Sequence, residues 1–333
     1  MKIVFVQLAN FPKEYVWQNI KQSKKLFPNI EHVLITDQVA VIKRAKNKNI
    51  NTWKYETESS VNQLFERMAT DKSFRGGFWR YTLERLIALI KYQQSAKGES
   101  VLHVESDVIL SSNFPFEKLN ELSKILWFPF NSQRDVASLL YLPNSAESVW
   151  LEEEIVREVI RDPLGTDMTV LNQIANRSYP RIGYFPVIES PNSYLLGANA
   201  TELFAQRASH YANHFSGIFD AAPLGMWITG QDPKNNRGYV IKRRTIPDSS
   251  LDPMNLIGRL KYELDGRIFF QAEQIFNLHI HSKTKNYFVS KNWRTIATEI
   301  KNITDWSEAK SLSPQAFIEL FKGYIWRRMR RLI

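Results

Sequence analysis

The run Val101-Leu102-His103-Val104-Glu105-Ser106-Asp107-Val108-Ile109-Leu110 is apolar on both sides of a single acidic triplet. Val, Leu and Ile at successive positions predict a strand inside a sheet covered on both faces, because a strand with one wet face alternates instead. A solvated acid has no ordinary place in such a strand. On an extended backbone Glu105 and Asp107 project to the same side, where two carboxylates suit a hard divalent cation that also holds a diphosphate. The competing reading of the same residues is a strand end running into a turn, with both acids in water.

The rest of the first hundred residues supplies the cover. Strands are expected over Lys2–Leu8, His32–Thr36 and Asn51–Tyr55, with a helix over Glu14–Leu26. In Phe78–Tyr92, Leu83, Leu86, Ile87 and Ile90 fall on one helical face, and a polar turn at Ser95–Glu99 leads into the acidic strand. This alternation predicts a parallel α/β sheet with ligands beyond the strand C-termini. Asp37, just after the second strand, is then a candidate for contacting a nucleobase or ribose, or else a simple turn aspartate.

A second group of polar residues stands near the C-terminus, in Ile275-Phe276-Asn277-Leu278-His279-Ile280-His281-Ser282-Lys283. Period-two geometry puts Leu278 and Ile280 on one face and His279 and His281 on the other, next to Lys283. Imidazole with carboxylates suits Mn2+ or Mg2+ completed by phosphate oxygens, and the lysine is placed to neutralise a leaving diphosphate. His281, nearest Lys283, is the expected ligand ahead of His279.

A helix feeding a strand that ends in acid-x-acid, followed by the Asn113-Phe114-Pro115 loop, resembles the metal-binding "DXD" region of bacterial GT-A-fold glycosyltransferases. Here the first acid is Glu, which makes Asp107 the safer ligand. The late histidine segment is similar to the last metal ligand of that family. Gly165-Thr166-Asp167-Met168-Thr169-Val170-Leu171-Asn172 resembles its Asp-x-x-x-Leu-Asn element, which implies a sugar-binding or catalytic role for Asp167 beside the ordinary job of an N-cap. The Gly217–Asn235 block also looks like part of such enzymes. Within it Gly permits close approach of backbone to ligand, Trp227 offers an aromatic face, Asp220 is the candidate general base and Asp232 begins a turn. Arg80 and Arg85 are candidates for the diphosphate, or for pairing with nearby acids such as Glu84. Arg237–Arg267 is a candidate lid.

The resemblance spans residues 1–285 and implies a GT-A-like mixed sheet flanked by helices. A nucleotide-sugar half (1–112) and an acceptor half (113–285) would precede a C-terminal helical extension (286–333). It further implies transfer of a sugar from a nucleoside diphosphate sugar, a UDP-sugar first among them, to a saccharide or lipid-linked saccharide acceptor in bacterial surface polysaccharide synthesis.

Composition narrows the alternatives. With 333 residues, 44% of them hydrophobic, the chain can bury a full core. The absence of cysteine removes disulfides, thiol catalysis and thiolate zinc sites. The N-terminal apolar run is too short for a signal peptide, and no window approaches the ~18 apolar residues of a membrane span, so a cytoplasmic protein is expected. The net charge of +10 favours anionic partners. Over Pro314–Ile333, Ile318, Phe321, Ile325, Met329 and Leu332 form an apolar stripe flanked by Arg327, Arg328, Arg330 and Arg331. That pattern fits peripheral attachment to an anionic membrane surface, or a helix docked on the protein's own core. No nucleic-acid-binding motif accompanies the charge, so no nucleic-acid partner is expected, although a non-enzymatic nucleic-acid-binding protein remains an alternative. A metal-dependent phosphoesterase is another. Nucleotidyltransferases of sugar nucleotides carry a Gly-rich loop after the first strand, and Gln7–Pro12 contains no glycine.

Overall fold

A computed structural model describes residues 1–69, 74–96, 98–256, 259–263, 267–270, 272–289 and 291–310. In chain order the first eight strands are β1 (Lys2–Gln7), β2 (Glu31–Thr36), β3 (Asn51–Lys54), β4 (Val101–Val104), β5 (Val108–Leu110), β6 (Ile125–Pro129), β7 (Asp135–Leu142) and β8 (Ile182–Tyr184). Seven of these form one sheet in the order β3-β2-β1-β4-β7-β6-β8. Neighbours run parallel except at β7, which is antiparallel to both β4 and β6. The expected mixed sheet flanked by helices is present.

The apolar strands follow from cover on both faces. Ile3 and Phe5 of β1 point into a core shared with Val16, Trp17 and Ile20 of the helix Glu14–Leu26. Val4 and Val6 point the other way, into a core with the helices Phe78–Ser95, Ser145–Arg161 and Asp167–Arg177. Burial alternates in destination, not in degree, so the sequence reads as continuously hydrophobic.

The expected single strand over residues 101–110 is two strands in two sheets. β4 ends in the large sheet, where the Glu105 amide makes the last ladder bond, to the Ser138 carbonyl at 2.9 Å. The chain then turns, with Val108 N donating to Glu105 O at 3.0 Å, and β5 joins a different partner. The remaining strands are β9 (Gly217–Ile218), β10 (Leu260–Tyr262), β11 (Ile268–Phe270), β12 (Glu273–Ile275) and β13 (Asn277–His279). β13 pairs antiparallel with β5, placing His279 opposite Val108, while β10-β11-β12-β9 form a small sheet of their own. The acidic triplet is therefore the step between two sheets.

Ile296, Ile300 and Ile303 of the helix Asn292–Lys310 are buried in the same core as Ile109 and Leu278. The basic stripe expected over Pro314–Ile333 lies outside the described residues. Among the described residues no helix is long and apolar enough to cross a membrane.

One buried polar knot fixes the β7-β6-β8 end of the sheet. The Asp135 carboxylate accepts hydrogen bonds from Trp127 Nε1 (2.8 Å), Tyr184 Oη (2.9 Å) and Asn172 Nδ2 (3.1 Å), tying β7 to β6, β8 and the helix Asp167–Arg177. Burial pushes its pKa up to about 6 against the pull of these donors. Asp135→Ala leaves three buried donors without a partner, each costing ~1–3 kcal/mol. Urea unfolding should show a loss of roughly 3 kcal/mol or more, and a loss under ~1 kcal/mol would refute this account of the knot.

Candidate active site

A cavity of about 760 Å3 opens where the C-terminal ends of β1, β4 and β6 meet the start of β7. Leu8, Asn10 and Tyr15 line one flank, the acidic triplet the middle, and Phe130, Arg134 and Val136 the other flank. In the middle, Glu105, Asp107 and His279 each offer a ligand atom, all within 4.8 Å of one another. His279 Nε2 lies 3.4 Å from both Glu105 Oε2 and Asp107 Oδ1. Two carboxylates and an imidazole are the donor set expected for Mn2+ or Mg2+, so the residues present fit such an ion.

Each member is aimed by a partner. Arg85 bonds Glu105 Oε1 and reaches Asp167 Oδ2 at 3.6 Å. Lys283 Nζ stands 3.3 Å from Asp107 Oδ2 and 3.8 Å from Asp232 Oδ2. Burial alone would raise the Asp107 carboxyl, but Lys283 and His279 beside it hold it well below the usual carboxylate range. The Nδ1 of His279 lies 2.9 Å from the Ala221 carbonyl, which turns Nε2 towards the acids. Burial would lower this imidazole, yet Asp107 and Glu105 outweigh it and push its pKa up to about 9.

The favoured histidine changes. His279, the last residue of β13, joins the acidic cluster, whereas His281 lines the same cavity without entering that cluster. The His281 ring lies beside that of His279, with centroids 4.1 Å apart, and its Nε2 is buried without a hydrogen-bond partner among the described residues. Burial and the adjacent His279 hold its pKa well below the ordinary value.

Asp220 is also re-placed. Its carboxylate is 1% exposed and accepts from the backbone amides of Leu224 (3.0 Å), Gly225 (2.7 Å) and His279 (2.9 Å). Both oxygens join the start of the helix Pro223–Thr229 to β13, and Asp220, expected as the general base, does not line the cavity. The close approach expected of glycine here is to strand backbone, not to a ligand: a Cβ on Gly225 would lie 2.2 Å from the His279 carbonyl oxygen.

Asp167 stays in the cavity wall for a reason the sequence hides. The N-cap of its helix is Thr166, in a reciprocal capping box with Thr169, which frees the Asp167 carboxylate to face Arg85. Burial pushes the Asp167 carboxyl up, although Arg85 opposes the shift. Arg80 does not line the cavity; it bonds Glu84 at 3.3 Å and Asn62 at 2.7 Å. Asp37 does not line it either. Both its oxygens lie 3.1 Å from the Ala9 amide, holding a residue at φ 62° in the turn that carries Leu8 and Asn10. Asp232 begins a turn as expected, accepting from Lys234 N at 2.9 Å, but it is also 5% exposed in the cavity wall between Lys283 and Arg75 (3.3 Å). Tyr15, Arg75 and Arg134 are lining residues that no local pattern singled out, and Arg244, also lining, lies in the segment expected as a lid.

No family model and no curated protein sequence matches the chain. Among solved structures it is similar to the galactosyltransferase LgtC in complex with donor and acceptor sugar analogues, at 12% identity over 63% of this chain and 83% of that one, with a TM-score of 0.43. The PaToxG glycosyltransferase gives 16% identity over 54% of this chain and 69% of that one, with a TM-score of 0.33. Mouse xyloside xylosyltransferase 1 gives 6% identity, 56% and 84% coverage, and a TM-score of 0.36.

Two outcomes follow from the histidine geometry. His279→Ala should weaken Mn2+ binding by about 10- to 100-fold and His281→Ala by less, measured by titration calorimetry; the opposite ranking would return the ligand role to His281. The sign of the pH effect is also set, because a protonated imidazole cannot bind a cation and His279 holds its proton up to about pH 9. Between pH 6 and 8 the apparent Mn2+ affinity should rise by roughly tenfold per unit, with release of about one proton on binding. A flat profile would contradict ligation by His279.

Proposed function

We propose that this cavity binds a nucleoside diphosphate sugar together with a divalent cation and transfers the glycosyl group to an acceptor hydroxyl. The observation that carries the reading is the convergence of Glu105, Asp107 and His279 with Lys283 at the strand edge of a cavity large enough for a nucleotide sugar. A simple phosphate would leave most of that volume unused.

In the transfer the bond between the anomeric carbon and the diphosphate oxygen breaks, the electron pair leaves with the diphosphate, and the acceptor oxygen bonds the anomeric carbon while its proton passes to the departing diphosphate or to water. A Mn2+ or Mg2+ ion held by Glu105, Asp107 and His279 would supply the charge that stabilises the departing diphosphate. The protein's own share is positional. Lys283, already beside Asp107, neutralises the same developing charge. Arg85 fixes the direction of Glu105 and holds Asp167, the carboxylate left facing the cavity to meet hydroxyls of the donor sugar. The parallel half of the sheet, ending in Leu8 and Asn10, takes the nucleoside, with Tyr15 as the aromatic ring at that flank. A UDP-sugar is the first donor to test, with a saccharide or lipid-linked saccharide as acceptor.

With Mn2+ present, purified protein should release UDP from at least one UDP-sugar, and Asp107→Ala should lower the rate by 100-fold or more while leaving the circular dichroism spectrum unchanged. Faster turnover of a plain phosphodiester such as bis(p-nitrophenyl) phosphate than of any nucleotide sugar would replace this reading with a phosphoesterase.

A further inference from the structure

We infer that the acceptor carries an anionic group, a phosphate or a carboxylate, seated between Arg134 and Arg244 at the flank of the cavity away from the nucleoside. This rests on the function proposed above and names its second substrate by charge. In the sheet order, β4 with the acidic triplet has β1 on one side and β7, then β6, on the other. The parallel β1 side is the nucleotide side. The turn between β6 and β7 therefore stands on the acceptor side, about 5–10 Å beyond the end of β4 at ordinary strand spacing.

That turn presents Arg134 on a rigid base. Phe130 N and Asn131 N both donate to Arg134 O, at 3.2 and 3.0 Å, and Asn131 Oδ1 accepts from Gln133 N and Arg134 N at 2.9 and 2.8 Å. The guanidinium lies 5.3 Å over the Phe130 ring. Its ion-pair partner is Asp248 at 3.3 Å, whose side chain is 71% exposed, a weak surface pair that an incoming anion can replace. Asn131 Nδ2 donates to Asp248 O at 2.7 Å and Ser250 N to Phe130 O at 3.2 Å, so the segment following Arg244 is fastened to the same turn.

The charge balance separates this flank from the rest of the cavity. Glu105 and Asp167 meet Arg85, Asp107 meets Lys283, and Asp232 meets both Arg75 and Lys283. Residues 234–244 hold five cations and no acid. Lys242 and Arg243 are taken by Glu299, at 2.6 and 3.8 Å, whereas Arg244 is exposed, lines the cavity and has no acidic partner among the described residues. Two guanidinium forks lining a cavity whose acids are all matched elsewhere can serve as a receptor for phosphate or carboxylate.

The test uses the full-length protein saturated with UDP and Mg2+ at 150 mM salt, with glucose, glucose 6-phosphate and glucuronic acid titrated by saturation-transfer NMR. At least one of the charged sugars should bind tenfold or more tighter than glucose, and which one does so separates phosphate from carboxylate. Arg134→Gln and Arg244→Gln should each cut that preference at least threefold, and the double variant should abolish it, with UDP titrated on each variant to check that the nucleotide flank is intact. Equal binding of the three sugars, a preference that survives the double variant, or a charged sugar that competes with UDP for its site would each overturn the inference. So would a preference for UDP-glucuronic acid over UDP-glucose that Arg134→Gln removes, because the anion would then belong to the donor. Failure of UDP itself to bind would overturn the proposed function on which the inference rests.

Discussion

The site depends on one buried carboxylate that never faces the cavity. Asp220 lies under the start of the helix Pro223–Thr229 and satisfies three backbone amides, two from that helix and one from His279. Its own amide and carbonyl are bound in turn by the side chain of Asn277, at 3.0 and 2.8 Å. A buried acid so completely hydrogen-bonded is tolerated where an unpaired one would not be. The helix must approach β13 closely for this to work, and the absence of a Cβ at Gly225 allows it. Ala221 then presents its carbonyl to His279 Nδ1, and the other ring nitrogen faces Glu105 and Asp107. The chain that sets the imidazole thus begins in a residue about sixty positions away.

Around that imidazole the charges alternate in sign. Arg85 stands between Glu105 and Asp167, and Lys283 between Asp107 and Asp232, with Arg75 closing the row. Removing one member from such a row leaves a partly buried charge uncompensated, which costs more than the pair itself contributes. The row also keeps carboxylates and cations in place before any ligand arrives, so less ordering is needed on binding.

Much of this was legible along the chain, and the failures share a cause. The helix Glu14–Leu26 has the expected limits, and β1 and β2 lie within a residue of theirs, because local periodicity determines them. Glu105 and Asp107 were legible because acids inside an apolar run need a reason, and Lys283 because it follows the histidine pair. The split between β4 and β5 was not, since Val108, Ile109 and Leu110 are equally apolar whichever sheet they join. Alternation put His279 and His281 on one side but could not rank them; the ranking comes from Ala221 and Asp220 on another element. Thr166 and Asp167 are both acceptable caps from sequence, and only the pairing of Thr166 with Thr169 decides between them. Asp232 read as a turn residue because it is one, and its second role depends on Arg75, 157 positions earlier.

The acidic triplet, as a step between two sheets, constrains length as well as composition. β4 is held in register by β1 and β7, and β5 by β13, so neither strand is free to slide along its partner. One residue added between Val104 and Val108 would have to bulge within the step or invert the faces of β5, turning Ile109 out of its core. In this chain the spacing of the two carboxylates is fixed from both ends, and an insertion there would be tolerated less well than most substitutions.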